Sequence, residues 1–555
     1  MSKIKELLKE ERYDELWHLC CGYLDLSMDS FMAIQKQLLL EQLQLLRRSA
    51  LGRKVMHGAM PETIDEFRRA VPLTHYKDYC PELLEKQEDC LPVKPVRWAH
   101  TSGKTGEFPF KWVPITPRTM DEMVILMYAA NILATCKRKG DATARPTKFL
   151  YATAPAPYTS GIFGYRCEED FGWRYFPSPS ESEQMSFMER LEKGFWMALN
   201  DGIDGIYGFT SVLVAIGEKF KSGARSMKFS QLARNPRAAL RLSRGLIKSK
   251  LAGRALMPRD LWNVKGMACG GTDSFVFREK IKEMWGVIPL DIYAGTEGLI
   301  ISMQTWDFDA MTFVPNLNFL EFIPETEYFK WKEDNSYQPE TVLLDEVKAG
   351  GIYEIVISNF HGGPMVRYRP GDMIKITSLR NDKLGIAIPQ MVFERRADDL
   401  IDLGLMRLTE KVIWKALENT GIPYVDWTAR KEIIRGDPKL HLYVELQDKY
   451  HVSNNGIAGA VYEEMKKIND GFMHTDLPSI EKITQLKPIL VSQLPVNSFK
   501  NYASKRQADG ADLAQLKPPR INPSTAVLTL LGGKAIAEEE AEVIYDTSPR
   551  VVTRQ

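Results

Sequence analysis

The sequence predicts an α/β protein with a large N-terminal domain and a small C-terminal one. Three observations carry this. From Lys148 onward, short β-like runs (KFLYAT, GIYGFTSVLVAI) alternate with a helical stretch (MSFMERLEKGFWMAL), as in a parallel sheet with covering helices. Between residues 340 and 380, ETVLLDEVKAGGIYEIVISNF and MVRYRPGDMIKITSL are dense in β-branched residues with Gly turns, which predicts a small antiparallel sheet or barrel. At 393–404 the charged stretch FERRADDLIDLG leaves the β region and runs into a new helical pattern, LMRLTEKVIWKAL, as a hinge between domains does. A chain of 555 residues is long enough for large cores and roughly two to four domains.

Taken in order, residues 1–90 read mostly helical, with apolar residues at helical spacing through Phe31–Leu46. The following FRRAVPLTHYKDYCPELLE is broken by Pro72 and Pro81. A block from Lys219 to Arg259 holds twelve Lys and Arg and no acid, with Leu232, Leu240, Leu242, Leu246, Ile247 and Leu251 threaded through it. Amphipathic helices are expected there. Their charged face is either solvated or a docking surface for a phosphorylated or acidic partner. The expected domains are 1–393, a hinge at 394–402, a mobile part at 403–522 and a partly disordered tail at 523–555.

Composition limits the function classes. Apolar content of 44%, charged content of 26% and a formal net charge of +1 are ordinary for a soluble protein. They give no global signal for nucleic acid or anionic membrane. No apolar run reaches the ~18 residues of a membrane span, and the charged start MSKIKELLKEERYDELWHL does not resemble a signal peptide. The seven cysteines are odd in number and lack C-x-x-C spacing, which points to reduced thiols in the cytoplasm. The eight histidines are scattered without an H-E-x-x-H pair, which argues against a dedicated zinc site.

Four short motifs carry chemistry. HTSGKTGEFPFK, residues 100–111, ends a Walker-type pattern at Gly103-Lys104-Thr105, but the first glycine of that pattern falls on Trp98, so it is not a P-loop. Its small hydroxyls, glycines and backbone N–H groups suit a different loop around a triphosphate; the plain alternative is a polar turn. IPLDIYAGTEG, residues 288–298, ends a β-like run in Ala-Gly-Thr-Glu-Gly. It would put Tyr293, Thr296 and Glu297 at a sheet edge, where α/β proteins bind ligands; a tyrosine suits a flat base there and a glutamate suits Mg²⁺, and the plain alternative is a simple strand–turn. In MVRYRPGDMIKI, Asp372 leaves a turn with a carboxylate that is free to accept a ribose diol, or that caps its own turn. The fourth motif is the Arg-x-Asp-Asp from Arg396 to Asp399, in a stretch that reads as a hinge or as an ordinary charged loop.

The order and spacing of these motifs resemble the adenylate-forming enzymes of the luciferase and acyl-CoA ligase superfamily. Within it, the chain is most similar to the acyl-acid amido synthetases that conjugate plant hormones such as auxin and jasmonate to amino acids, and to their bacterial relatives. The resemblance covers roughly residues 30–522. It includes FRRAVPLTHYKDYCPEL, NLNFLEFIPE at 316–325, LLDEVKAGGIYEIVISNFHGGPMVRYRPGD and the closing AQLKPPR at 514–520.

The resemblance implies ATP and Mg²⁺ as cofactors, and a small carboxylic acid and an amine, such as an amino acid, as substrates. Ser102, Gly103, Lys104, Thr105 and Gly106 match the phosphate loop, Tyr293 the residue beside adenine, and Thr296 the one near the α-phosphate. Glu297 matches the magnesium-associated glutamate and Asp372 the ribose-binding aspartate. Arg396 matches the hinge arginine, with Asp398 or Asp399 as pivot. Lys517 matches a C-terminal lysine of the active site, and Arg407 a position that is lysine in plant members. Thr296, Glu297 and Lys517 are the implied catalytic set. Lys104 departs from the family pattern, which has a hydroxyl residue there. Lys104 either contacts the β- or γ-phosphate or points to solvent. Two other functions fit the same motifs less closely: an acyl-CoA ligase that shares the adenylate, and a non-catalytic scaffold using the basic block. An acyl pocket is expected from 151–175 and 203–216, which are rich in aromatic and small residues.

Overall fold

A computed structural model describes residues 3–101, 110–143, 146–222, 235–270, 274–397, 400–403, 407–434, 437–447, 452–468, 489–508 and 518–533. The chain divides into two units, Met1–Asp398 and Asp399–Gln555.

The first unit is built on one large mixed sheet. Its parallel half contains β3 (Lys148–Ala152), β4 (Arg174–Phe176), β5 (Gly205–Phe209), β6 (Gly266–Gly270) and β7 (Leu290–Gly295) in the order β4-β3-β5-β6-β7. Helices Thr159–Phe171, Phe187–Asp201, Thr210–Ser222 and Ser274–Trp285 run between these strands. Beyond β7 every pairing is antiparallel, through β8 (Leu299–Gln304), β9 (Met311–Phe313), β13 (Gln390–Arg396), β12 (Asp372–Ser378), β11 (Ile352–Asn359) and β10 (Asn318–Pro324). The antiparallel part expected over 340–380 is therefore present, and it continues the parallel sheet edge to edge. A separate two-stranded hairpin pairs β1 (Arg97–His100) with β2 (Trp112–Ile115).

One stretch differs from the sequence reading. GIYGFTSVLVAI is strand only to Phe209 and helix from Thr210. A short, largely apolar run does not distinguish a buried strand from a buried helix by its period.

The N-terminal helix Met28–Arg48 forms as its spacing predicts, started by Ser27, whose hydroxyl accepts from Ser30 N–H. Two glutamines seven residues apart on its buried face tie it to the antiparallel half. Gln35 donates to the carbonyls of Pro315 (2.6 Å) and Asn318 (2.7 Å) and accepts from Leu320 N–H. Gln42 donates to Gly363 O and accepts from Gly362 N–H. The sequence leaves these two residues looking like the polar side of the helix.

In the basic block, residues 223–234, including Leu232, lie outside the described residues. The helix Pro236–Leu251 buries Ala238, Leu242, Gly245 and Ser249. Of the leucines and isoleucine expected on its inner face, only Leu242 is there; Leu240, Leu246, Ile247 and Leu251 are exposed.

The second unit is α+β. Strands β14 (Leu400–Asp402) and β15 (Arg407–Thr409) pair antiparallel. Strand β16 (Tyr424–Ile434) pairs antiparallel with β17 (Asp437–Leu446), and β17 pairs parallel with β18 (Ile489–Gln493). Alternation along β17 feeds two cores. Leu440, Leu442 and Val444 join Ile413, Leu417, Ile457 and Val461 of helices Glu410–Asn419 and Asn454–Ile468. Tyr443 joins Phe499, Tyr502 and Leu528. Past Pro523, Thr525–Leu530 is helical, and residues 534–555 lie outside the described residues. Among the described residues no helix is long and apolar enough to cross a membrane.

Candidate functional site

The site lies where β7, the last parallel strand, ends. Parallel strands expose their carboxyl ends on one edge, and ligands of α/β sheets bind there. Strand β7 runs out at Gly295, Thr296-Glu297-Gly298 make the turn, and β8 starts at Leu299, whose φ of 56° reflects a tight reversal. The structure thereby puts Tyr293, half-buried Thr296 and Glu297 on that edge.

Two side chains converge on Glu297. The Tyr368 hydroxyl donates to Oε1 at 3.1 Å, and Lys111 Nζ lies 3.5 Å from the same oxygen and 3.2 Å from Tyr368 Oη. The Glu297 backbone N–H also donates to the carboxyl. Asn359 holds the backbone, donating to Glu297 O at 2.9 Å. Burial pushes the Glu297 carboxyl up, but Lys111 and the Tyr368 hydroxyl outweigh it and hold the group below its ordinary value. Glu297 is an anion at neutral pH.

Tyr368 reaches Glu297 because the RYR segment alternates. Arg367 turns away to a two-pronged ion pair with Glu321 (2.9 and 3.0 Å), and Arg369 does likewise to Glu354 (2.6 and 2.9 Å), all four buried. Tyr368, between them, faces the other way. The hairpin brings Lys111: Thr101 N–H donates to Lys111 O, and Lys111 N–H donates to Thr101 Oγ1. Tyr76 braces its neighbour, its hydroxyl accepting from Trp112 N–H at 2.6 Å. Ser102, Gly103, Lys104, Thr105 and Gly106 lie outside the described residues; the stem that carries them, Thr101 and Lys111, stands beside Glu297.

Asp372, at the head of β12, forms a second cluster that Tyr293 of β7 joins. Tyr293 Oη donates to Oδ2 at 2.8 Å, and Arg396 Nη1 donates to Oδ1 at 2.6 Å. The expectation of a free carboxylate is corrected here: both oxygens are engaged, because Asp372 and Arg396 are cross-strand partners and Tyr293 reaches across from β7. Each oxygen keeps a second lone pair. Burial and the Asp372 charge push the Tyr293 phenol well above its ordinary value, so it remains a neutral donor. Gly371, at φ 79°, makes the turn that delivers Asp372 to the head of β12.

The remaining expected residues divide. Arg407 sits at the start of β15. Asp398, Asp399 and Lys517 lie outside the described residues. The segment after Lys517 is anchored within the second unit: Thr428 donates to Pro519 O and Ala429 N–H to Arg520 O. Arg520 pairs with Asp426 at 2.8 Å and lies against the rings of Trp414 and Trp427. The expected acyl-pocket segments include the carboxyl ends of β3 and β5, on the same edge as Glu297, and Tyr158 packs against His100 of the hairpin at 4.4 Å.

Lys111, Tyr368 and Asn359 are site residues that the sequence reading passed over. Lys111 had a signal: a lone cation opening an apolar strand, KWVPI.

Two stretches of the chain match known family models. The model of the GH3 family N-terminal domain matches residues 22–174, and that of the GH3 family central domain matches residues 311–396. The two matches together cover less than half of the chain. The GH3 central domain contains Tyr368, Asp372 and Arg396, and the N-terminal one contains the 102–106 loop and Lys111. A jasmonoyl–L-amino acid synthetase GH3.5 of Oryza sativa subsp. japonica is 26% identical over 301 residues, 51% of this chain and 49% of its own length. A 4-substituted benzoates-glutamate ligase GH3.12 of Arabidopsis thaliana is 25% identical over 239 residues, 41% and 39%. The chain thus spans about half the length, or less, of these curated relatives. Among solved structures, 2-hydroxyisobutyryl-CoA ligase in complex with 2-HIB-AMP and CoA shares the fold, with a TM-score of 0.51, 15% identity and coverage of 90% of this chain and 91% of the other.

Proposed function

We propose that this GH3-domain protein is an ATP-dependent acid–amine ligase. It would adenylate a small carboxylic acid and pass the acyl group to an amine, such as an amino acid, giving an amide, AMP and pyrophosphate. The observation that carries this reading is the convergence of Glu297, Lys111 and the stem of the 102–109 loop at the end of β7, with Asp372, Tyr293 and Arg396 beside them.

The chemistry needs such an arrangement. A carboxylate oxygen attacks the α-phosphorus of ATP, and the bond to pyrophosphate breaks; an anion meets an anion. Fixed cations and N–H donors offset that repulsion and stabilise the departing charge. Lys111 and Arg396 supply two such cations, and the glycine and hydroxyl residues Ser102, Gly103, Thr105 and Gly106 supply donors. Asp372, with one lone pair left on each oxygen, accepts from a ribose diol, and Tyr293 lines the base. In the second step the amine nitrogen attacks the acyl carbon, AMP leaves and the amine loses a proton. Thr296 and Lys517 belong to the same proposed machinery, as does Arg407.

Among the described residues no group of three or more His, Cys, Asp and Glu is gathered to hold a metal. A single carboxylate still fits Mg²⁺, which takes one or two carboxylates and completes its shell with phosphates and water. Glu297, kept ionised, is the residue proposed to hold it. When bound, the ion would neutralise charge on the phosphates.

A reducing, cytoplasmic setting suits the seven free cysteines. Nothing in the comparisons supports an acidic protein partner at 219–259.

Incubation with ATP, a panel of carboxylic acids and a panel of amino acids, with mass detection, tests the reading. An amide together with AMP is expected. A thioester formed with added coenzyme A, and no amide with any amine, would replace it with an acyl-CoA ligase.

A further inference from the structure

The helix Pro236–Leu251 carries an outward ridge that the proposed ligase chemistry does not use. Its inner face is short and tightly seated. A Cβ on Gly245 would meet Leu261 Cδ2 at 2.6 Å, and Arg241 donates to the carbonyls of Ala198 and Leu199. Opposite that face stand Leu240, Ile247 and Leu251, 54%, 58% and 84% exposed. At about 100° per residue they fall within roughly 40° of one another, a crest about 16 Å long. Single exposed leucines need no explanation; three aligned on the crest of one helix do.

The crest is flanked by cations. Arg237, Arg244 and Lys248 lie on one side and Lys250 on the other, all exposed and without an ion pair among the described residues. The helix itself contains no acid. Acids near it serve other cations: Asp260 pairs with Arg254 at 2.7 Å, Asp201 faces the inner Arg241, and Glu283 faces Arg254.

We propose that this helix docks the protein on an anionic phospholipid surface. Its aliphatic crest enters the boundary between headgroups and acyl chains, while the long cationic side chains on both flanks reach the lipid phosphates. A convex aliphatic ridge with cations on both sides matches a planar anionic interface. A polypeptide partner would have to supply both a groove and two acidic rims. The inference rests on this helix alone and stands or falls independently of the ligase reading.

Flotation of the full chain with vesicles tests it. Binding to phosphatidylcholine vesicles with about 30% phosphatidylserine is expected to exceed binding to phosphatidylcholine alone by roughly tenfold and to weaken with salt. Two triple variants, Leu240→Ser/Ile247→Ser/Leu251→Ser and Arg244→Glu/Lys248→Glu/Lys250→Glu, are expected to lose binding with an unchanged circular dichroism spectrum. The proposal is overturned if the wild type ignores both vesicle types, or if the crest variant floats like the wild type. It is also overturned if the chain binds polyglutamate through this helix but not vesicles, which would assign the ridge to an acidic polypeptide.

Discussion

Arg396 Nη1 lies 2.6 Å from Asp372 Oδ1, and the two residues are also direct cross-strand partners at the junction of β12 and β13. The pair is fixed by backbone register as well as by charge. Tyr293 completes it from β7, so three strands meet at one carboxylate. Asp372→Ala should therefore weaken ATP binding. Loss of two charge-assisted acceptors, at about 1.5–3 kcal/mol each, predicts a KM for ATP raised at least roughly a hundredfold, measured by steady-state kinetics at saturating acid.

The Arg367–Glu321 pair is structural. Arg367 also donates to the carbonyls of Arg68 and Val71 and lies near Thr341 Oγ1 (3.1 Å). Removing one partner leaves a buried charge, so Arg367→Met should cost about 3–5 kcal/mol. Arg367→Met/Glu321→Met should recover part of that loss in urea unfolding.

His361 gives a pH dependence with a defined sign. It is buried and donates from Nε2 to Asn316 O at 2.7 Å; burial lowers it to about 4. Its unfolded value is about 6.5, so below that pH the unfolded chain binds the extra proton first. Stability from this group is whole above pH ~6.5 and falls as pH drops towards about 4. Its share of the loss, of order 1–3 kcal/mol, should be missing from the His361→Gln variant when unfolding is followed between those limits.

Lys104 tests the phosphate loop. If it meets the β- or γ-phosphate as a mobile point charge, Lys104→Ala raises the KM for ATP severalfold with little change in the KM for the acid. An unchanged KM for ATP would assign Lys104 to solvent.

Much of this site is legible in the sequence because its residues sit in short motifs whose local chemistry is distinctive. Tyr293, Thr296 and Glu297 end a strand, and Asp372 follows a Pro-Gly turn. What the sequence hides is the partner of each. Lys111 is 186 residues from Glu297 and Tyr368 is 71 away, and no local pattern says that they meet. The same holds for Gln35 and Gln42, which look like surface residues until their backbone partners some 280 to 320 residues on are known. The exposed crest of Pro236–Leu251 is the converse. Leucines at helical spacing predict a buried face, but apart from Leu242 that face is made of the small residues Ala238, Gly245 and Ser249, and at Gly245 the helix sits too close to Leu261 for a side chain.

The most direct test of the central claim is acid-dependent ATP–pyrophosphate exchange across a panel of carboxylic acids, with Glu297→Gln and Lys111→Met beside the wild type. Exchange with at least one acid, lowered at least roughly a hundredfold in either variant as expected for loss of an electrostatic group at the reacting phosphate, is the result predicted. No exchange with any acid, or exchange that survives both substitutions, would contradict it.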